Sequence, residues 1–139
     1  MSTETNKAIV RRLYEQVWTG RQSDLLEEFY AEDFVHHEQL APGLEGLKQF
    51  YAMSLQAFPD IQITIEDAIA EGDQVVTRWT MKGTHQGELL GIPPTGVQVT
   101  QTGAAIFRLA GARIVEAWYF ADNLSLMQQL GVIPAPDAA

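Results

Sequence analysis

The sequence predicts a single α+β domain in which helices pack on one face of a curved antiparallel sheet. Helical periodicity of apolar residues occupies the chain before Pro59 and recurs once near its end, whereas apolar and polar residues alternate between residues 61 and 121. Helices followed by successive strands are typical of α+β folds, in which the helices cover one side of the sheet. A sheet that curves over helices leaves a hollow at its open end, where pockets form.

The predicted helices follow apolar residues spaced three and four positions apart. Ser2, Thr3 and Thr5 are candidate N-caps of the first helix, Pro59 ends the third, and Gly131 is the C-cap of the last. The helices are expected over residues 6–17, 24–30, 44–58 and 124–130.

The predicted strands are set by period-two alternation of apolar residues. Residues 91–96 must form a turn, because two prolines and two glycines are incompatible with a central strand. We expect one domain over residues 1–133, followed by a frayed tail over residues 134–139. The strands are expected over residues 61–65, 75–82, 97–109 and 113–121.

Composition excludes several classes of function. The chain has no cysteine, which excludes thiol nucleophiles, disulfide frameworks and thiolate zinc sites. A formal net charge of −9 argues against binding to nucleic acid or to an anionic membrane surface. No basic and apolar leader and no apolar run of membrane-spanning length is present, so we expect a cytoplasmic protein.

Asp122 is the leading candidate for a functional residue. Period-two alternation places Glu116, Trp118, Phe120 and Asp122 on one face of the last strand. An acid beside aromatic rings is partly desolvated, and desolvation raises a carboxyl pKa toward the range that is useful for proton transfer. Asp122 also directly precedes the last helix, with Ser125 three residues on, where it would serve as the N-cap.

The three histidines are further candidates. His85 lies between two glycines that allow an irregular backbone, so it is either a site residue or a loop histidine with one hydrogen bond. His36 and His37 are adjacent on an extended segment, so at most one of them faces a pocket. We predict no metal site, because no His-x-x-x-His or similar spacing accompanies His36-His37-Glu38.

Large aromatic and charged side chains on the strands are candidates for contact with a ligand, although such aromatic residues are more often core residues and an arginine more often lies at the rim. Trp118 is the strongest, because it shares the predicted face of Asp122, and Glu116 on that face is a candidate second acid. Arg78 and Trp79 are neighbours on a strand, so one of them faces the interior. The expected substrate contacts are His36, Trp118, Trp79, Glu116, Phe107 and Arg78.

Five spaced segments carry a family resemblance: Gly83–Gly87, Leu90–Gly96, Phe107–Leu109, Trp118–Asp122 and Gln129–Gly131. In this order they resemble the SnoaL-like polyketide cyclases, also called ester cyclases, and the resemblance covers nearly the whole chain. It implies the cone-shaped α+β fold of the nuclear transport factor 2-like superfamily, dimeric through its sheet. It also implies ring closure of a small apolar polyketide by intramolecular aldol condensation, without metal or cofactor.

The resemblance also assigns roles to individual residues. The family's acid/base aspartate falls on Asp122, its glycine-flanked histidine on His85, and its polar substrate contact after the second helix near His36. Antibiotic-pathway cyclases carry a second pocket histidine on the penultimate long strand, where this chain departs from the pattern with Ala105.

Two classes of function follow from these residues. In the first, Asp122 moves a proton at carbon in an enolisable carbonyl compound, while His85 or His36 hydrogen-bonds the enolate oxygen. In the second, the domain binds a small apolar ligand or dimerises without catalysis. A related isomerase would need a tyrosine and a second acid beside Asp122. An epoxide hydrolase would need two acids bridged by an arginine, for which Glu116 and Arg78 are the candidates.

Overall fold

The computed structural model describes residues 2–37 and 43–134, so Glu38 and residues 135–139 of the predicted tail lie outside the described residues. Helices pack against one face of a five-stranded sheet, which confirms the predicted α+β class. None of the described helices is long and apolar enough to cross a membrane. The α-helices are α1 (Thr3–Arg12), α2 (Leu26–Phe29), α3 (Gly43–Ala57) and α4 (Asn123–Gln129), and the strands are β1 (Tyr30–His36), β2 (Gln62–Glu71), β3 (Gln74–Thr84), β4 (Gln98–Ala110) and β5 (Arg113–Ala121).

The strand order across the sheet is β1-β5-β4-β3-β2. The four predicted strands form its antiparallel part, from β2 to β5. The predicted set lacks β1, which lies at the edge of the sheet and pairs in parallel with β5. Its alternation is weak, because Glu32 and Asp33 are both exposed between the buried Tyr30 and Phe34.

The core lies between the helices and the inner, helix-facing side of the sheet. Val10 on α1 and Leu13 and Val17 in the helical turns that follow it have no accessible surface. On the facing strands, Val75 of β3 and Phe107 of β4 are also fully buried. Burying each such side chain contributes roughly 1.5–3 kcal/mol relative to exposure, so this packing holds the helices over the sheet.

The first helix begins and ends at residues whose chemistry explains its limits. Ser2 is the N-cap, and its hydroxyl accepts the Thr5 N–H at 3.0 Å. Turns of π-helix over Leu13–Thr19 prolong α1, so the helical segment extends beyond the predicted bounds. It stops at Gly20, where a Cβ would lie 2.6 Å from the Gln16 carbonyl oxygen.

A β-bulge in β5 decides which of its side chains face the interior. Across the β4–β5 pair, Arg108 lies opposite Glu116 and Leu109 opposite Ile114, which leaves Val115 without a partner. An extra residue of this kind shifts the alternation of the strand by one position. After the bulge, the inner face carries Ala117 and Tyr119, and the outer face carries Glu116, Trp118 and Phe120.

Candidate functional site

Asp122 lies at the start of α4 and is exposed. Its Oδ1 accepts the Ser125 N–H at 3.0 Å, so Asp122 is the N-cap of the helix. The expectation of a partly desolvated acid on the inner face is therefore wrong, because β5 ends before this residue and the chain turns into the helix. The second carboxylate oxygen makes no hydrogen bond within residues 2–37 and 43–134.

Trp118 and Glu116 lie on the outer face of the sheet. Trp118 stacks on His37, with ring centroids 4.6 Å apart. Glu116 accepts hydrogen bonds from His37 Nε2 at 2.6 Å and from Arg108 Nε at 2.8 Å, and both donors lower the pKa of its carboxyl group. Strict alternation from Ile114 would turn both residues inward, but the bulge at Val115 turns them to the outer face, and their contact with a substrate stays a prediction.

Arg78 and Trp79 face opposite sides of the sheet, as alternation requires. Arg78 is exposed and donates to Asp67 Oδ2 at 2.8 Å on the outer face, away from the core, and its contact with a substrate stays a prediction. An epoxide hydrolase would need an arginine that bridges two acids. Arg78 pairs with Asp67 and not with Glu116, so it does not bridge the acids proposed for that activity. Trp79 points inward, 9% exposed, and a Cβ at Gly103 would lie 2.3 Å from its Cζ2 atom.

The inner face brings together four ring-bearing residues, which we call the inner aromatic cluster: Tyr30, His36, Phe107 and Tyr119. The hydroxyl oxygens of Tyr30 and Tyr119 share a hydrogen bond of 2.9 Å. His36 stacks on the Tyr119 ring, with centroids 4.7 Å apart and planes 13° from parallel. Phe107 meets the same ring edge-on at 5.5 Å. Two predicted substrate contacts, His36 and Phe107, therefore lie together around a tyrosine that was not predicted.

Burial sets the protonation states within the inner aromatic cluster. Desolvation, aided by the neighbouring His37, lowers the pKa of His36 to about 4, so its imidazole is neutral at pH 7. Desolvation raises the pKa of both Tyr30 and Tyr119 above the usual range, so both phenols keep their protons. The cluster therefore presents neutral hydrogen-bonding groups in apolar surroundings, where such bonds are stronger than in water.

His85 is fully buried beyond the end of β3. Its Nδ1 accepts the Thr95 backbone N–H at 3.2 Å and lies 3.0 Å from Thr95 Oγ1, so the ring fixes the turn before β4. Because Nδ1 is an acceptor, the neutral ring carries its proton on Nε2. Nε2 has no hydrogen-bond partner among the described residues. A contact between His85 and a substrate stays a prediction.

Ala105 is fully buried on the inner face of β4 and offers no polar atom in place of the family's second histidine. Gln101 lies on the same face, 8% exposed, and its Nε2 donates to Asn123 Oδ1 at 3.0 Å. The prediction missed Gln101, although a polar residue at an inward position of an apolar strand was a visible signal. It missed Tyr119 for a different reason, because the sequence gives no sign of the bulge that turns it inward.

The His36-His37-Glu38 run was the candidate segment for a metal site. His36 faces inward and His37 outward, as predicted for adjacent residues on a strand, so their imidazoles cannot share an ion. Within the described ranges, no group of three or more histidine and acidic side chains is placed to hold a metal. The remaining member of the His-His-Glu run, Glu38, is outside those ranges.

Solved structures share this architecture. AclR from Streptomyces galilaeus, a proposed hydroxylase, has a TM-score of 0.90 at 28% identity, covering 99% of this chain and 87% of AclR. A proposed SnoaL-like polyketide cyclase from Jannaschia sp. CCS1 has a TM-score of 0.84 at 29% identity, covering 95% of each chain. The fold is that of the nuclear transport factor 2-like class of α+β cones, as the resemblance implied.

Sequence comparison then identifies the family. The family model for SnoaL-like polyketide cyclases matches residues 8–130. Aklanonic acid methyl ester cyclase DnrD from Streptomyces peucetius is 30% identical over 146 aligned residues, covering 94% of this chain and 92% of DnrD. The chain belongs to the SnoaL-like polyketide cyclase family, and these relatives support a small-molecule enzyme of the cyclase type.

Proposed function

We propose that the protein closes a ring in a small, mostly apolar methyl ester that carries an enolisable carbonyl group, without metal or cofactor. Family membership supports the reaction type, and DnrD and DauD, two relatives, are named as aklanonic acid methyl ester cyclases. The observation that carries the proposal is the inner aromatic cluster, which lines the helix-facing side of the sheet with neutral hydrogen-bonding groups. Donors held in apolar surroundings stabilise a developing enolate without reorganisation.

In this proposal Asp122 is the proton acceptor. Its position at the end of β5 is where the family resemblance assigns the acid/base group, and Ser125 N–H holds one of its oxygens. That hydrogen bond orients the carboxylate and leaves Oδ2 available to a substrate, so capping and proton transfer are compatible. Because Asp122 is exposed, the substrate itself must cover the carboxylate and displace water before the proton moves.

The chemical step is an intramolecular aldol addition. Asp122 removes a proton from the carbon beside one carbonyl group, the resulting enolate carbon bonds to a second carbonyl carbon, and the alkoxide so formed takes the proton back. No atom is lost, so product and substrate have the same mass. A neutral imidazole at His36 is placed to hydrogen-bond a carbonyl or enolate oxygen at the inner face. His85 would do so through Nε2–H only after a rearrangement that opens a path to this buried atom.

The first prediction tests Asp122 by Asp122→Asn. Asparagine caps a helix as well as aspartate does, so the melting temperature should hold, whereas turnover should fall by roughly 100-fold or more because the base is gone. Turnover is followed with aklanonic acid methyl ester by chromatography and mass spectrometry, together with deuterium uptake at the acidic carbon. Asp73→Asn, which changes an exposed carboxylate in the β2–β3 turn, is the matched control and should keep full turnover.

The outcomes separate the alternatives. If Asp122→Asn keeps full turnover and His36→Gln loses it, the proton acceptor lies in the inner aromatic cluster instead of at Asp122. A product heavier by one oxygen atom would indicate hydroxylation instead of ring closure. Tight binding of the ester with neither turnover nor deuterium uptake would favour a module that only binds.

We also propose a homodimer that forms through the outer face of the sheet. A row of apolar side chains crosses this face in register, one from each strand from β2 to β5: Ile69, Val76, Ile106 and Trp118. Ile69 is 67% exposed and Val76 39% exposed, which is unusual for neighbours in an apolar row. The ion pairs Asp67–Arg78 and Arg108–Glu116 flank the row, as a polar rim flanks an interface.

The absence of cysteine supports a cytoplasmic location.

A further inference from the structure

We propose that Tyr119 is a further catalytic residue, whose hydroxyl donates a hydrogen bond to the substrate carbonyl, and that Tyr30 and His36 are positioning residues for it. This inference rests on the proposed function and names the donor within it. Neither the predicted site nor the family resemblance assigns a role to Tyr119, which reaches the inner face because of the bulge at Val115.

Exposure distinguishes the two tyrosines of the inner aromatic cluster. Tyr30 is 1% exposed and closed off by the core, whereas Tyr119 keeps accessible surface although it lies on the inner face. In this inference the substrate occupies the space beside the Tyr119 ring on the helix-facing side of the sheet. A carbonyl compound in that space would meet Tyr119 before it met Tyr30.

The direction of the hydrogen bond between the two hydroxyls follows from their surroundings. Each phenol has one proton to donate. Tyr30 is fully enclosed and its partner among the described residues is Tyr119, so its proton is best satisfied on the Tyr119 oxygen at 2.9 Å. The Tyr119 proton is then left for a ligand. A hydroxyl that already accepts a hydrogen bond is a stronger donor, because the two bonds polarise each other.

Packing holds the Tyr119 ring in one orientation. His36 lies parallel to one face at 4.7 Å, and Phe107 meets the ring edge-on at 5.5 Å. A donor fixed in this way needs no rearrangement when charge develops on the carbonyl oxygen, which is the main source of electrostatic catalysis. Burial also raises the pKa of the Tyr119 phenol, so it remains a donor at neutral pH.

Other donors near this face are already engaged or out of reach. The Gln101 amide nitrogen donates to Asn123 Oδ1 and, at 3.4 Å, to the Asp122 carbonyl. The His85 Nε2 atom has no accessible surface in the present arrangement. Trp118 lies on the outer face. Beside the His36 imidazole of the proposed function, Tyr119 is therefore the donor that a carbonyl group could reach with the least change in the protein.

The second prediction uses Tyr119→Phe, with Tyr14→Phe as the matched control. Tyr14 is 4% exposed and its hydroxyl lies 3.2 Å from Thr77 Oγ1, so the control also deletes one buried, hydrogen-bonded hydroxyl from the inner side of the sheet. Tyr119→Phe should lower kcat for aklanonic acid methyl ester by roughly 100-fold with little change in KM. Tyr14→Phe should keep kcat, and Tyr30→Phe should give an intermediate loss. Wild-type kcat in Tyr119→Phe would overturn the inference.

A spectroscopic readout separates this inference from the proposed function. The probe is 9-fluorenone labelled with ¹³C at its carbonyl, a flat apolar ketone that has no enolisable hydrogen. Its carbonyl stretch should move to lower frequency on binding to the wild type and return toward the unbound value in Tyr119→Phe. If that variant does not fold, 3-fluorotyrosine at position 119 replaces it. Because fluorine makes the hydroxyl a better donor, a further downshift is expected.

Each pattern of results then has one reading. If the fluorenone carbonyl frequency shifts only when Tyr119 is present and the ester is not turned over, the proposed function is contradicted. The role of Tyr119 as a hydrogen-bond donor is then supported. Turnover that is lost in Asp122→Asn but unchanged in Tyr119→Phe, with no carbonyl shift, would contradict the donor and keep the proposed function. A frequency that is the same with tyrosine and 3-fluorotyrosine would also contradict it.

Discussion

His36 and His37 are neighbours in sequence, and each stacks on an aromatic residue of β5, yet their surroundings differ completely. His36 lies on Tyr119 at 4.7 Å on the inner face, and His37 lies on Trp118 at 4.6 Å on the outer face. The inner imidazole loses water and its pKa falls to about 4. The outer imidazole instead meets the Glu116 carboxylate at 2.6 Å.

The comparison shows that the face of the sheet, more than residue type, determines what each side chain can do. In the inner aromatic cluster, the polar groups are neutral and lie within apolar packing, and the hydroxyls of Tyr30 and Tyr119 share a hydrogen bond. On the outer face, charged groups form the pairs Arg78–Asp67 and Arg108–Glu116 beside exposed apolar side chains. Substrate chemistry fits the first environment, and association of protein surfaces fits the second.

The third prediction compares the tolerance of the two faces to added volume, and it has the largest expected effect on stability. Gly103→Ala places a Cβ 2.3 Å from Trp79 Cζ2 and 2.4 Å from the Phe120 carbonyl oxygen. Both the Trp79 ring and the β5 backbone at Phe120 would have to move, which should lower the free energy of unfolding by about 1–3 kcal/mol. Ala104→Val, the next residue of β4, adds volume to the outer face and should change stability by no more than about 0.5 kcal/mol.

Urea denaturation measures both variants. A Gly103→Ala protein as stable as the wild type would show that the inner face has room beside Trp79. The space in which a ligand is proposed to bind would then be larger than the structure indicates.

The sequence predicted the fold well because its signals are local. The apolar stripes of the helices and the alternation of β2 to β5 recur over many residues, so small errors at the ends do not change the class. The edge strand β1 was missed because Glu32 and Asp33 interrupt its alternation, and because its parallel partner β5 is distant in sequence.

The positions of the candidate site residues were predicted less well than the fold. One residue, Val115, accounts for most of the errors. Strict alternation from Ile114 places Glu116 and Trp118 inward, but the unpaired Val115 reverses both. A bulge depends on how β4 and β5 pair, and no local feature of the segment 113–121 shows it. His36 and Phe107, two of the expected substrate contacts, are both buried on the inner face, although the pairing of β1 with β5 is irregular before Val35. The capping role of Asp122 was visible in the sequence, since Ser125 follows three residues later.

The fourth prediction uses acid to separate the two histidines. The pKa of His36 is near 4 in the folded protein and 6.5 in the unfolded chain, so the unfolded chain binds the proton first as the pH falls. Its contribution to stability is therefore complete above pH 6.5 and is lost progressively between pH 6.5 and about 4. A pKa difference of this kind corresponds to about 2 kcal/mol after allowance for partial hydration.

His36→Gln should remove this part of the pH dependence, measured as the free energy of unfolding in urea at a series of pH values. His37→Gln is the matched control on the outer face. It removes a nearby charge but leaves the desolvation of His36, the main cause of the shift, in place. Equal slopes in the wild type and His36→Gln would mean that water reaches this ring.

The fifth prediction concerns the outer face and has the smallest expected effect on folding. The wild type should have twice the chain mass of 15.5 kDa in light scattering, because the row through Val76 is covered by a second copy. Val76→Lys places a charge at the middle of that row and should give monomers. Its free energy of unfolding, extrapolated for the monomer, should change by about 0.5 kcal/mol or less, since the side chain reaches water.

Gln74→Lys is the matched control. It adds the same charge at the first residue of β3, outside the apolar row, so this variant should remain dimeric. A monomeric wild type would contradict the dimer, and a dimeric Val76→Lys protein would place the contact elsewhere. Loss of turnover in monomeric Val76→Lys would show that catalysis at the inner face depends on dimerisation through the outer face. Retained turnover would show that the inner aromatic cluster acts within a single chain, as its contacts indicate.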